Sequence, residues 1–217
     1  MELRLQVLPL VVDLKLVLLL NAINPRIGGV LIRGEKGTAK STAVRALAAL
    51  LPEIRVIRGC QFSCSPDNLM EMCDKCKSNR NNHTIVCRRA RVVTLPLNAT
   101  EDRIVGGIDF NFAIKHGKRE LQPGLLAETH RGILYIDETN LLDDHIVDII
   151  LDAASSGKNV VEREGISFTH SSDFILVGTM NPEEGELRPQ LLERFGLCGV
   201  VKGEPKPAER ILLMERR

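Results

Sequence analysis

Apolar residues fall along this chain in two recurring patterns. Short, nearly continuous runs at residues 29–33, 92–97, 132–137 and 174–180 are rich in Val, Ile and Leu and bounded by glycine or polar residues. They predict buried strands. Residues 13–24, 42–51, 124–129 and 141–156 carry helical spacing or Ala/Leu-rich composition, and Pro25 and Pro52 stop the first two. Residues 160–168 predict a hairpin turning near Gly165. Strands apolar on both faces, alternating with helices, predict an α/β fold with a parallel sheet sandwiched by helices. Residues 60–87 break the rhythm, being polar, cysteine-rich and aperiodic, and read as an inserted loop.

Composition narrows the picture. The 217 residues suit one domain spanning 1–217. Hydrophobic residues make up 44% and aromatic ones 3%, so the core must be aliphatic. The Leu/Val-rich first 20 residues are interrupted by Glu2, Arg4, Asp13 and Lys15, which argues against a signal or membrane segment and for a cytoplasmic protein. A net charge of +1 supplies no field for nucleic acid or anionic membranes. The cluster Arg88, Arg89, Arg91 is short enough to be a solvated segment.

The strongest chemical signal follows the first strand: Gly34, Glu35, Lys36, Gly37, Thr38, Ala39, Lys40, Ser41, then Thr42 opening a helix. Such a phosphate-binding loop wraps its N–H groups around an anion, and the helix adds its positive N-terminus. Lys40 would reach the β- and γ-phosphates of ATP, and the Ser41 hydroxyl would ligate Mg2+. Ala39 stands where a glycine is usual, a one-methyl change compatible with a first helical turn.

Further along, an apolar strand ends in Asp137 and Glu138. Asp137 can hold the magnesium shell while Glu138 polarises water. The next strand ends at Asn181, able to orient that water or to cap the turn at Pro182. Arg194 follows a short helix and reads either as a surface residue or as an arginine finger acting on a neighbouring subunit; Arg188 is a weaker candidate. Cys60, Cys64, Cys73 and Cys76 form a C-x3-C-x8-C-x2-C pattern with His83 and Cys87 nearby. Zn2+, an iron–sulfur cluster, free thiols or a redox disulfide all fit that spacing. Cys198 sits in an apolar stretch and reads as a small core residue.

The phosphate loop, residues 24–34, 99–109, 121–128, 132–145, 160–165 and 181–190 together resemble the AAA+ P-loop NTPases and, more closely, the ATPase subunits of magnesium chelatase. The resemblance covers most of residues 14–210. It implies a ring, usually a hexamer, whose ATP hydrolysis drives a large tetrapyrrole-binding subunit to insert metal, with an integrin-like subunit coupling the two. It also implies two β-hairpin insertions, at 108–124 and 158–170. The family's Val-Gly-Gln lead-in has no match in residues 1–13, and its helical lid is absent or truncated after residue 217. Two other functions share parts of the pattern: a chaperone-like remodeller maturing a metalloenzyme, and a helicase-like nucleic-acid motor. The acidic hairpin tip Glu162, Arg163, Glu164, Gly165 disfavours the second.

Overall fold

The computed structural model describes residues 11–12, 14–35, 40–79, 82–109, 112, 114–115, 117, 121–163 and 166–201. Lys36, Gly37, Thr38 and Ala39 of the phosphate loop, most of the lead-in, and residues 202–217 lie outside them.

The chain opens with β1 (Val11–Val12), α1 (Leu14–Ile23), β2 (Val30–Gly34) and α2 (Lys40–Leu50). A side module follows, made of β3 (Ile54–Ile57), α3 (Asp74–Ser78) and β4 (Ile85–Arg88). Then come β5 (Val92–Leu95), α4 (Glu101–Val105), β6 (Gly106–Ile108), β7 (Leu121–Pro123), α5 (Leu125–Thr129) and β8 (Ile133–Ile136). The last part holds α6 (Asp144–Ser156), β9 (Lys158–Arg163), β10 (Ile166–Ser171), β11 (Ile175–Met180), α7 (Pro189–Leu192) and β12 (Leu197–Val201). Six strands form one all-parallel sheet in the order β1-β12-β2-β11-β8-β5. This is the AAA+ core expected from the sequence.

Strand alternation explains why the central runs read as continuously apolar. Val30 and Ile32 of β2, Ile133 and Tyr135 of β8, and Ile175 and Val177 of β11 pack with Val17, Leu18, Val44 and Leu47 of α1 and α2. The alternate residues Leu31, Leu134, Ile136, Leu176 and Met180 pack on the other face with Ile104, Leu126, Val147 and Ile150 of α4, α5 and α6. Helix α6 ends at Gly157, whose positive φ of 69° lets its N–H return to Ala153 O at 2.9 Å.

Among the described residues, the strand pairs of both expected hairpins are present. β9 and β10 pair antiparallel from Lys158↔Ser171 to Arg163↔Ile166. β6 and β7 pair antiparallel at the base of the other. The insertion differs from a bare loop, because β3 and β4 form an antiparallel ribbon that carries it, starting before residue 60. These four-residue strands, half exposed, carry too little apolar contrast to stand out. β1 and β12 were likewise unforeseen. Cys198 does lie buried in the core, on β12. Arg88 is not simply solvated, since its Nη2 donates to Ser63 Oγ at 2.7 Å.

At one place the packing leaves no slack. A Cβ at Gly196 would lie 1.9 Å from Ile27 O, and one at Gly28 would lie 3.0 Å from Arg194 O. Leu197 N donates to Gly29 O at 3.1 Å. The turn leading into β2 and the segment carrying Arg194 therefore touch backbone to backbone. Among the described residues no helix is long and apolar enough to cross a membrane.

Candidate functional site

Sheet register sets the site. Arg33 of β2 pairs with Met180 of β11, and Gly178 pairs with Ile136 of β8. One step further, Gly34 is level with Asn181, and Thr179 with Asp137. The ends of β2, β11 and β8 thus form one rim, and α2 begins beside it at Lys40. Lys40 Nζ donates to the carbonyls of Gly34 (2.6 Å) and Glu35 (2.9 Å), tethering the ammonium to the strand end. Ser41 and Thr42 are exposed in the first turn of α2.

Asp137 is held in place. Its Oδ1 accepts from Thr179 Oγ1 at 2.7 Å and from Tyr135 Oη at 2.9 Å. Tyr135, Asp137 and Thr179 share the parity of residues on the sheet face covered by α1 and α2, the face from which Lys40 approaches. Burial and the neighbouring carboxylate push the Tyr135 phenol up to about 12, so it remains a donor. The fully buried Thr179 hydroxyl also accepts the Glu138 N–H at 3.2 Å, so it donates to one acid and receives from the backbone of the next.

Glu138 adopts a left-handed backbone, φ 55° and ψ 55°. That conformation is uncommon for glutamate and collects at functional positions where surrounding contacts enforce it. Here the contact is the Thr179 hydroxyl. Next to it, Thr139 Oγ1 is buried without a hydrogen-bond partner, and a Cβ at Gly178 would lie 2.7 Å from it. Only glycine fits at that point of β11.

Asn181 is buried, and its Oδ1 accepts from Glu183 N at 3.3 Å, so the turn-capping role considered from the sequence is real for its oxygen. Its Nδ2 remains available as a donor. Arg194 follows α7, as the sequence suggested, but it stands apart from this rim. Its guanidinium forks between Asp148 and Asp152, and Arg188 Nε meets Asp144 Oδ2 at 2.6 Å. Asp144, Asp148 and Asp152 form an i, i+4, i+8 stripe on α6 that faces these two arginines.

Tyr135 and Thr179 were missed, since in strands both residue types look like ordinary β-formers. The available signal was parity, because Thr179 is a polar residue inside a strand whose neighbours are all buried. A cleft of about 960 Å3 lies elsewhere, between Arg91, Arg103, Gln122 and Glu128, and takes in none of these rim residues.

The insertion holds a second cluster. The Sγ atoms of Cys60, Cys64, Cys73 and Cys76 all lie within 4.8 Å of one another. Cys87 is exposed on β4, paired in register with Arg55, and His83 Nε2 bonds the carbonyl of Cys76 at 2.8 Å, so neither belongs to that group.

Comparison with known proteins identifies the family and the fold. The family model "Magnesium chelatase, subunit ChlI" matches residues 27–190. A magnesium-chelatase subunit ChlI homolog of Methanocaldococcus jannaschii is 58% identical over 205 residues, 94% of this chain and 56% of the relative. The magnesium-chelatase 38 kDa subunit of Acidiphilium rubrum is 53% identical over 92% of this chain and 59% of its own length. A solved chain from the complex between subunits BchI and BchD of magnesium chelatase superposes with a TM-score of 0.80 at 52% identity, covering 94% of this chain and 62% of that one. The chain thus spans about three fifths of the length of the proteins it matches. With its parallel sheet, its strand-end acid and its paired hairpins, the chain belongs to the magnesium chelatase subunit ChlI family.

Proposed function

We propose that this chain is the ATP-hydrolysing core of a chelatase motor, working in a ring of six copies. Its cycle would drive a large tetrapyrrole-binding subunit to insert metal, through an integrin-like partner. The observation that carries the reading is Asp137, a strand-end carboxylate fixed by two hydroxyl donors at the rim that Lys40 shares. A carboxylate that merely ended a strand would need no such clamp.

The donor set suits a hard cation, pairing a carboxylate with the Ser41 hydroxyl, both oxygen ligands. Bound with ATP, Mg2+ would neutralise charge building on the phosphates. Backbone N–H groups of residues 34–39 would cradle the phosphates, with Thr42 in the same first turn. Lys40 would exchange its tether to Gly34 and Glu35 for the β- and γ-oxygens. Glu138, aimed by its left-handed backbone, would polarise the attacking water, and Asn181 Nδ2 would orient it. Arg194 would serve the neighbouring subunit's site. It precedes β12, whose first residue pairs with Val30 at the end of β2 opposite the rim, and it is held against α6, which supports that reading.

Two variants and one reconstitution test this. Fluorescent-nucleotide titration should show magnesium-dependent binding that Lys40→Ala abolishes and Glu138→Gln retains, with turnover lost in both. ATPase activity should rise when a large tetrapyrrole-binding subunit and an integrin-like subunit are added. Unchanged affinity in Lys40→Ala removes the nucleotide site, and absence of stimulation removes the chelatase assignment.

A further inference from the structure

The insertion between β3 and β4 has a problem of size. Its apolar cluster consists of Ile57, Cys64, Met72 and Cys76, with Cys60, Phe62 and Cys73 at its margin. More than half of that small core is cysteine. So small an apolar cluster cannot by itself offset the entropy of ordering the surrounding loops, and natural modules of this kind need a staple. The structure pairs none of the six cysteines in a disulfide, and four of them converge on one point instead.

We infer that Cys60, Cys64, Cys73 and Cys76 bind one zinc ion as a tetrathiolate structural site. Four Sγ atoms mutually within 4.8 Å surround a point that suits a single ion. The Cys60–Cys73 sulfur separation is 3.9 Å. A tetrahedron with Zn–S bonds of about 2.3 Å has edges of about 3.8 Å. An iron–sulfur cluster attaches each thiolate to a different iron or splits them between two, with sulfides between the metals, and needs the sulfurs spread wider. Four soft ligands in a tetrahedron favour zinc over hard, oxygen-seeking cations.

Local backbone geometry supports the site. Ser63 takes a left-handed φ of 50° and its N–H bonds Cys60 O at 3.3 Å, folding the first pair of thiols onto the same side. Cys73 N donates to Cys64 Sγ at 3.2 Å, an N–H···S bond of the kind that orients thiolate ligands. The N–H groups of Cys76 and Lys77 both return to Cys73 O, at 3.0 and 2.9 Å, closing the second pair into one turn. Lys75 and Lys77 on α3 place positive charge beside a group that would carry a net negative one. His83 fixes the far end by bonding Cys76 O.

The ion would do more than hold the insert together. Phe62 lies between the first two ligands, and its ring packs 5.6 Å from Phe168 and 5.0 Å from His170, both on the β9–β10 hairpin. The metal module is thereby docked onto the hairpin, and loss of the ion should loosen both.

Full-length protein purified without oxygen or chelator should carry one zinc per chain by elemental analysis. Substitution with cobalt should give the thiolate charge-transfer and d–d absorption of a tetrahedral tetrathiolate. Mercurial titration should release the zinc to a chromogenic chelator, and trypsin should then cut the insert and the hairpin faster. Cys64→Ser with Cys76→Ser should lose the ion, while Cys87→Ser should keep it. Because the double variant could fail to fold, thiol counting on the wild type gives a separate reading, in which Cys60, Cys64, Cys73 and Cys76 react only after zinc removal. Less than about 0.2 zinc per chain, four thiols reactive from the outset, iron in place of zinc, or zinc retained by the double variant overturns the assignment.

Discussion

The hydroxyl of Thr179 donates to the Asp137 carboxylate at 2.7 Å while accepting the Glu138 N–H at 3.2 Å. One buried side chain on β11 thus sets the aim of two acids at the end of β8. Thr179→Val keeps the shape, removes the hydroxyl and strands a backbone donor. Turnover should fall about 10–100-fold with nucleotide affinity nearly unchanged, the usual cost of losing a group that orients a ligand. Thr179→Ser should restore most of it. Steady-state ATPase assays beside nucleotide titrations read both, and a Val variant with normal turnover would remove Thr179 from the site.

Arg194 is held by Asp148 and Asp152 rather than by its own rim. If it serves a neighbour, Arg194→Ala should bind nucleotide normally and lose turnover by on the order of 10³. Mixing it with Lys40→Ala subunits should restore part of the activity, because each supplies what the other lacks. Mixed assemblies as inactive as either parent would argue against action in trans.

His130 predicts a dependence of stability on pH. It is buried, its Nδ1 accepts the Asp173 N–H at 3.0 Å, and burial, then the Arg131 charge, lowers its pKa from 6.5 to about 4. Between those values the unfolded chain binds a proton that the folded chain refuses. Its contribution is therefore fully present above pH 6.5 and is lost as pH falls towards 4. His170 is shifted the same way by burial. Urea unfolding should show about 2 kcal/mol less stability at pH 5 than at pH 7 from His130 alone, by proton linkage. His130→Gln should flatten that slope, and an unaltered slope would refute the assignment.

Gly196→Ala should be among the most destabilising small changes in the chain. The added methyl group meets the Ile27 carbonyl oxygen, a backbone atom that cannot rotate away. A loss of about 3 kcal/mol or more is expected, read from the urea midpoint. Gly107→Ala is a fair control: its backbone, like that of Gly196, avoids positive φ, and the nearest atom to an added Cβ is Asp102 Cβ at 3.9 Å, so its smaller loss isolates the collision.

Much of this architecture was legible in the residues, and the reason is periodicity. Strands β2, β8 and β11 are buried on both faces, so Val30, Ile133 and Ile175 and their neighbours announce themselves. Asp137 and Glu138 follow directly on β8 and Asn181 on β11, while Lys40 opens the helix after β2, and that order is why a shared rim could be expected. What stayed hidden depends on long-range pairing. Nothing local in Thr179 or Tyr135 says that they meet Asp137, and nothing in Asp148 says that it meets Arg194. Register and helix docking decide those contacts. The ribbon β3–β4 escaped because its strands are short and half exposed.

The contact between Gly28 and Gly196 has a mechanical consequence. With glycines pressed against opposing backbone and Leu197 N bonded to Gly29 O, no hinge separates the strand that feeds the phosphate loop from the segment that presents Arg194. If the chain works in a ring and Arg194 serves a neighbour, as proposed above, a subunit that repositions β2 as its nucleotide changes would carry along the arginine it lends next door. News of hydrolysis would then travel around the circle as rigid displacement, handed from each copy to the one that follows.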